Sequence, residues 1–356
     1  MDVRVAYDCH SLLTSPTGLA RYTQQLGASL EARGASLRRY AIGWNGTTPR
    51  GVAHRRLPNP IVQRAWPVLG WPSIFGLTGP VDLVHGTEFV LPPLRRVPGV
   101  VTIHDLSYLR DDAFPGARRL QKLVPWSIKR AARVLVPSTA VAAELERAYG
   151  LTEERVVVTY EGVGPEFFDA RPLDEGELAA MGITTPFALV VGEVQPRKNV
   201  ATLLRAWAEA RGELDDWSLV LAGPSGWGPA LPETPGALSV GWVPDETLPR
   251  LMAAAELFCF PSHYEGFGLP PLEAMASGTA VLAGRYDSAP ELLGDAALLV
   301  DQHDVAALAE GIVALGSDDS RRSRLAESGR ERARRFTWER VAELTLGAYE
   351  DALAAP

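Results

Sequence analysis

Short apolar runs alternate with longer amphipathic stretches along almost the whole chain. In the first half VRVAYD (3–8), VDLVH (81–85), VVTIH (100–104), Val134–Val136 and VVVTYEGV (156–163) read as strands. Their continuously apolar middles are the pattern of parallel strands covered on both faces. Between them lie the helical patterns ARYTQQLGASLEARG, closed by Gly34, ARRLQKLVPWSIKRAAR, and STAVAAELERAYG with Ser138 as N-cap. The second half repeats the alternation. FALVVGE (187–193), WSLVLAG (217–223), ELFCFPS, TAVLAG (279–284) and AALLVD (296–301) are strands, with VATLLRAWAEAR and ETLPRLMAAA as helices among them. DVAALAEGIVALG, SRRSRLAESGRERARRF and TWERVAELTLGAYEDALA, the last capped by Thr337, are the closing helices. Two successive series of this kind predict an α/β protein with two doubly wound parallel sheets and a cleft between them. The connector EFFDARPLDEGELAAMG sets the boundary, giving domains 1–170 and 171–336.

A length of 356 residues fits two cores better than one. With 46% hydrophobic and 22% charged residues the composition is that of a globular chain. No apolar run reaches the roughly 20 residues of a spanning helix. MDVRVAYDCH lacks the basic and apolar regions of a signal peptide, so the expected location is the cytosol. Cys9 and Cys259 sit in apolar strand-like runs without CxxC spacing and read as buried hydrophobes. The net charge of −8 is unevenly spread: residues 1–165 hold 20 Lys and Arg against 13 Asp and Glu, and the remainder 15 against 30. Two solvated surfaces of different sign explain this, as does a basic first half that faces an anionic acceptor or membrane.

Several chemistries are excluded by missing motifs. No GxGxxG follows the first strand and no GxxxxGK[ST] occurs, which argues against nicotinamide or flavin oxidoreductases and P-loop NTPases. GxSxG and HExxH are also absent. What remains is phosphate recognition by other means. In SHYEGFGLPPLEAMASG (262–278) a glycine-rich loop enters a helix whose first turn holds Pro270 and Pro271, so the amides around Gly268 and Leu269 form an anion site. In GEVQPRKN (192–199), Arg197 and Lys198 follow a strand and precede a helix for which Asn199 is the cap. Two adjacent cations there neutralise a diphosphate, one as a fork and one as a point charge. An isolated Arg-Lys pair would be mere surface charge, and Glu273, placed in the first helical turn, is favoured by the dipole alone. His85 and His104 end strands, where open α/β sheets gather their ligands, although a strand-end histidine also serves as a polar cap.

These motifs together resemble those of the retaining glycosyltransferases of family 4. GEVQPRKN, FPSHYEGFGLPPLEAMASGTAVL and PELLGDAALLVD carry the likeness, with Glu265 and Glu273 spaced as an acid, seven residues and a second acid. TGLARYTQQL and IHDLSYL are similar to the N-terminal halves of bacterial mannosyltransferases of polysaccharide and glycolipid assembly. The resemblance implies a GT-B fold of two Rossmann-like domains facing a central cleft, the first on the acceptor side and the second binding a nucleotide sugar, with the helix 337–356 packing back on the first. By position it implies that Arg197 and Lys198 hold the donor diphosphate and that Glu273 bonds the ribose. Glu265 faces the transferred sugar, while Gly266, Phe267, Gly268 and Leu269 wrap sugar and phosphates. His104 lies near the sugar, Gly18 passes over the phosphates, and His85 and Asp105 belong to the acceptor side. Departures from the family pattern are Gln195 in place of an acid, the Thr17-Gly18-Leu19 loop, and GRYDSAP (284–290).

The implied reaction moves a hexose, mannose in the first instance, from a nucleotide-diphosphate sugar to a hydroxyl of a sugar, glycolipid or other small acceptor. GDP-mannose is the first choice of donor, with UDP- or dTDP-linked sugars next. No metal or other cofactor is expected, because Arg197 and Lys198 take the charge role, and no nucleic-acid partner is expected. Cations and helix amides stabilise the leaving diphosphate, Glu265 the oxocarbenium, and a front-face departure needs no strong protein base. IVQRAWPVLGWPSIFGL (61–77) and the basic helix 117–133 form either an acceptor and peripheral membrane face or ordinary core with solvated cations. A nucleotide-sugar epimerase of the same fold and a non-catalytic nucleotide-sugar binder are the alternatives. A phosphorylase is disfavoured, since the only lysines are Lys122, Lys129 and Lys198.

Overall fold

The computed structural model describes residues 3–13, 18–44, 46–111 and 113–355. It divides into two compact units, Met1–Gly162 with Trp338–Pro356, and Val163–Thr337.

The first unit is built on seven strands: β1 (Arg4–Asp8), β2 (Ser36–Ile42), β3 (Ala53–Arg55), β4 (Leu83–Gly86), β5 (Gly99–Thr102), β6 (Arg133–Val136) and β7 (Val156–Val158). They pair in parallel in the order β3-β2-β1-β4-β5-β6-β7. One face packs on Val62 and Trp66 of the Asn59–Leu69 helix and on Leu120 and Val124 of the Ala117–Arg130 helix. The other packs on Leu26 and Leu30 of the Gly18–Ala32 helix and on Val341 and Ala348 of the Trp338–Ala354 helix. Burial on both faces explains the unbroken apolar runs of the central strands. Chain order reverses between β1 and β4. In such sheets the carboxyl ends flanking that reversal leave a crevice that no crossover connection covers.

The second unit holds six parallel strands: β8 (Phe187–Val191), β9 (Ser218–Ala222), β10 (Ala237–Gly241), β11 (Leu257–Phe260), β12 (Ala280–Gly284) and β13 (Leu298–Val300). Their order is β10-β9-β8-β11-β12-β13, with the reversal between β8 and β11. Leu203 and Trp207 of the Val200–Ala210 helix meet Leu308, Ile312 and Leu315 of the Val305–Gly316 helix in its core. The unit begins at Val163 rather than at residue 171, because Phe167 is buried and its short helix Pro165–Phe168 packs on helices Leu248–Ala254 and Leu269–Ala276.

His85 requires a correction. In β4 its side chain points to the face covered by the C-terminal helix, where its Nδ1 lies 2.7 Å from the Tyr349 hydroxyl and its Nε2 2.9 Å from that of Thr102. It is wholly buried, and burial holds its pKa down at about 3, so a neutral ring ties strand to helix instead of meeting an acceptor.

Candidate functional site

The strongest cluster of the second unit lies at its strand-order reversal. After β8 the chain makes a tight turn over Pro196–Lys198, and Asn199 follows at φ 57°. Asn199 does not cap the next helix through its side chain, contrary to the sequence expectation. Its amide nitrogen donates instead to the carbonyls of Pro261 (3.1 Å) and Gln302 (2.7 Å), because satisfying two buried carbonyls outweighs one helical amide. The His263 amide donates to the Arg197 carbonyl at 2.8 Å, fixing the loop after β11 beside the one after β8.

This cross-tie brings three predicted residues into contact. Arg197 Nη1 donates to Glu265 Oε2 at 2.5 Å, and Lys198 Nζ donates to Oε1 at 2.7 Å while standing 4.8 Å over the Phe260 ring. Glu265 is 8% exposed. Burial alone would push its carboxyl up, but the charges and hydrogen bonds of Arg197 and Lys198 outweigh burial and hold it at about 2. The sequence reading gave acid and cations separate tasks; in this structure the acid occupies the cations itself.

The glycine loop closes the same cluster. Gly268 adopts φ 111°, and a Cβ there would stand 2.5 Å from the Tyr286 hydroxyl, so only glycine fits. The Ser288 hydroxyl donates to the carbonyls of Glu265 and Phe267 at 3.2 and 3.1 Å, holding the loop from beneath. The Leu269–Ala276 helix then begins with Pro270 and Pro271 near its start and no side-chain cap among the described residues. Glu273 is buried in the second turn of that helix, not the first, which removes the simple dipole account of it. Buried polar atoms without a hydrogen-bond partner gather nearby: Ser262 Oγ, His263 Nδ1, Gln195 Oε1 and Tyr286 Oη. Such atoms are rare in a native interior unless something else meets them.

In the first unit His104 follows β5, almost fully buried. Its Nε2 is 2.8 Å from the Thr87 carbonyl and its Nδ1 3.3 Å from Glu161 Oε1, so both nitrogens face acceptors. Burial disfavours the charged ring, yet the hydrogen bond and charge of Glu161, with the Thr87 carbonyl, raise its pKa overall. Asp105 accepts from the Ser107 amide at 2.8 Å and is half-buried. Gly18 is the first residue of its helix with open space where a Cβ would be, and Thr17 of the same loop lies outside the described residues. The segment 61–77 divides: Val62, Trp66 and Ile74 are core, while Ile61, Val68, Leu69 and Trp71 are exposed.

Sequence reasoning missed Glu161, Tyr286 and Ser288. The last two lie in GRYDSAP, whose departure from the family pattern was the available signal. Backbone conformation is a second signal: of the four described non-glycine residues at positive φ, Phe89, Tyr160 and Asn199 adjoin Glu88, Glu161 and Lys198. Among the described residues no group of three His, Cys, Asp or Glu is arranged as a metal site.

Residues 182–332 match the family described as Glycosyl transferases group 1, and residues 16–167 match Glycosyltransferase Family 4. O-antigen chain mannosyltransferase B of Escherichia coli is 33% identical over 295 residues, spanning 75% of this chain and 74% of that protein. A D-inositol 3-phosphate glycosyltransferase of Nocardioides sp. is 32% identical over 318 residues, 78% of this chain and 68% of its own. Among solved structures, sucrose-phosphate synthase from Thermosynechococcus elongatus superposes with a TM-score of 0.79 at 22% identity, covering 99% of this chain and 100% of that one, which extends the agreement to the GT-B fold.

Proposed function

The chain belongs to the group 1 and family 4 glycosyltransferases, and from that premise we propose that it transfers a hexose, mannose in the first instance, with retention from a nucleotide-diphosphate sugar to an acceptor hydroxyl. The observation that carries this reading is the Arg197–Glu265–Lys198 cluster beside the Gly268 loop. A carboxylate that holds two adjacent cations leaves them able to exchange it for a stronger anion, and a donor diphosphate is that anion. When the diphosphate takes the cations, Glu265 is released toward the sugar, where its charge opposes the positive charge that develops as the anomeric bond breaks. Arg197 and Lys198 then stabilise the departing phosphate, whose oxygen takes the acceptor proton in a front-face path. We assign Glu273 to the ribose and Gly266, Phe267, Gly268 and Leu269 to sugar and phosphates. His104 and Gly18 are assigned to donor contacts on the family resemblance, and Asp105 to the acceptor side. Donor binding is the role proposed for the second unit and acceptor binding for the first.

We further assign GDP-mannose as donor, a saccharide or lipid-linked acceptor, metal-independent turnover, and peripheral membrane contact through Ile61, Val68, Leu69 and Trp71. The test is incubation with a panel of nucleotide sugars, reading nucleoside diphosphate release with and without acceptor. Release from one donor that rises with acceptor supports transfer. Binding without turnover supports a nucleotide-sugar binder, and conversion of one nucleotide sugar into its epimer supports a nucleotide-sugar epimerase. Loss of turnover in EDTA, restored by a divalent cation, overturns metal independence. Failure to bind anionic liposomes at low salt overturns the membrane contact, and unchanged donor affinity in Glu273→Ala overturns the ribose role.

A further inference from the structure

The second sheet ends in an open edge. β13 closes the strand order, and no further strand pairs with it among the described residues. The Val300 carbonyl accepts from the Arg285 amide at 3.0 Å, on the β12 side. In a parallel ladder a residue turns its amide and carbonyl to one side and the next residue turns both to the other, so those of Leu299 point outward. The side chains alternate too. Leu298 and Val300 pack on the core that holds the Val305–Gly316 helix, which puts Leu299 on the opposite face.

On that face a groove of about 550 Å³ lies between β13 and the Asp319–Ala333 helix. Arg321, Arg324, Leu325 and Ser328 recur at three- and four-residue spacing and form its helical wall. Arg285 and Asp295 also line it. The helix uses three other arginines as struts. Arg322 donates to the carbonyls of Leu315 and Gly316 at 2.8 and 3.2 Å, Arg332 to that of Leu292 at 2.9 Å, and Arg330 to that of Phe168. The groove arginines have no such task. Arg324 reaches the Ser320 hydroxyl at 2.6 Å, and the Arg285 and Arg321 side chains make no hydrogen bond or ion pair among the described residues. Three arginines against one acid leave the groove positive.

Charge beside an exposed edge keeps other strands away. Charge of one sign does so selectively, repelling a basic strand and admitting an acidic one. A compact polyanion would meet the arginines, but it offers nothing to the Leu299 carbonyl or to the apolar Leu299 and Leu325 side chains. An extended polypeptide meets all of them. Its main chain gives a carbonyl to the Leu299 amide and an amide to the Leu299 carbonyl. Alternate side chains turn toward the helix, where acids meet Arg321 and Arg324, and those between continue the apolar face of Leu298 and Val300.

We propose that the β13 edge binds an extended segment of a partner protein, paired with Leu299 and alternating acidic with apolar side chains. None of the residues assigned to transfer lines this groove, so the proposal stands apart from that activity.

The probe is a blocked octapeptide alternating Glu and Val, compared with its Lys–Val counterpart and with inorganic tripolyphosphate. Titration of the full chain gives the affinities, and amide hydrogen exchange in leucine-labelled protein reads Leu299. The Glu–Val peptide is expected to bind about tenfold or more tighter than the Lys–Val peptide, and at saturation to slow Leu299 exchange by about tenfold or more. Arg321→Glu combined with Arg324→Glu is expected to weaken it by about tenfold or more, since like charges then meet across the contact. Leu299→Pro removes an outward amide, which an edge strand tolerates, and is expected to weaken it by a similar factor. The charge-reversed chain should melt no lower than the natural one, because an acid in the first turns of a helix is favoured by the dipole. That separates loss of the contact from loss of folding. Equal affinity for the two peptides, no binding of either, Glu–Val binding that leaves Leu299 exchange unchanged, or binding that persists in both variants overturns the proposal. Binding of tripolyphosphate in place of the peptide also overturns it and leaves a patch for small anions. Leu299 exchange that slows with protein concentration alone overturns it by placing a second copy of this chain on the edge.

Discussion

Replacing Glu265 by Gln tests whether the acid is an internal substitute for the donor diphosphate. The carboxyl lies at about 2 against a usual 4.5, a difference worth roughly 3 kcal/mol at 1.36 kcal/mol per unit. The figure agrees with the ~3–5 kcal/mol lost when one partner of a buried pair is removed. Because the pKa is depressed on folding, this stability is present above 4.5 and is lost as the pH falls through about 2. Glu265→Gln should therefore be less stable than the natural protein by ~3 kcal/mol at neutral pH, with the gap closing below about pH 4.5. Hydrogen exchange of the β8 and β11 amides measures this within the second unit, without assuming that the two units unfold together.

The same substitution should move binding and chemistry in opposite directions. Glutamine carries no charge to hold Arg197 and Lys198, so a nucleoside diphosphate no longer competes with an internal anion and should bind about tenfold more tightly or better. Transfer should slow by ~10²-fold, since the carboxylate that opposes the oxocarbenium charge is gone. Equilibrium titration with the nucleoside diphosphate and a steady-state transfer assay read the two effects. A stability gap that does not change between neutral pH and 3.5, or a nucleoside diphosphate affinity that falls as it does in Arg197→Ala, would refute the reasoning.

Gly268→Ala places a Cβ 2.5 Å from the Tyr286 hydroxyl at φ 111°, and should cost ~1–3 kcal/mol in a melt and weaken nucleoside diphosphate binding. Adding Tyr286→Phe to that chain should recover part of both losses, and no recovery would rule out the contact as their cause. Tyr349→Phe removes the 2.7 Å bond to His85 and should cost ~1–3 kcal/mol, read as faster exchange of β4 amides. His85 is held at about 3 against a usual 6.5, so its contribution is full above 6.5 and is lost as pH falls toward 3; a first unit indifferent to pH over that window would contradict its burial. Glu161→Gln should lower the His104 pKa, followed by histidine NMR, and an unmoved titration would show that Glu161 does not hold its charge.

The sequence made legible what lies contiguous in it. Arg197, Lys198, Glu265, Gly268 and Glu273 sit in two short motifs whose spacing depends on a turn and a helix start, both local properties. The central strands were legible because cover on both faces leaves unbroken apolar runs. β2 was not, since SLRRYAI carries two arginines in its middle, and β3 has only three residues. Local pattern also misplaced His85. It located the residue correctly at a strand end, but the side chain's direction is settled by Tyr349, 264 positions away.

The same limit applies to charge state, which is what turns a motif into chemistry. Glu265 is an ordinary acid in the sequence, and it becomes a carboxylate fixed at about 2 only because cations 67 and 68 positions away arrive beside it. Asp8 is the counterpart: burial, reinforced by the charge of Glu88 from another strand end, raises it to about 7 despite the His10 amide. Both acids stand where strand order reverses, so each is flanked by loops that follow strands distant in sequence. A doubly wound sheet thus separates in sequence the groups that set one another's pKa. One acid is thereby fixed as an anion able to hold cations, and the other is left to titrate at about 7.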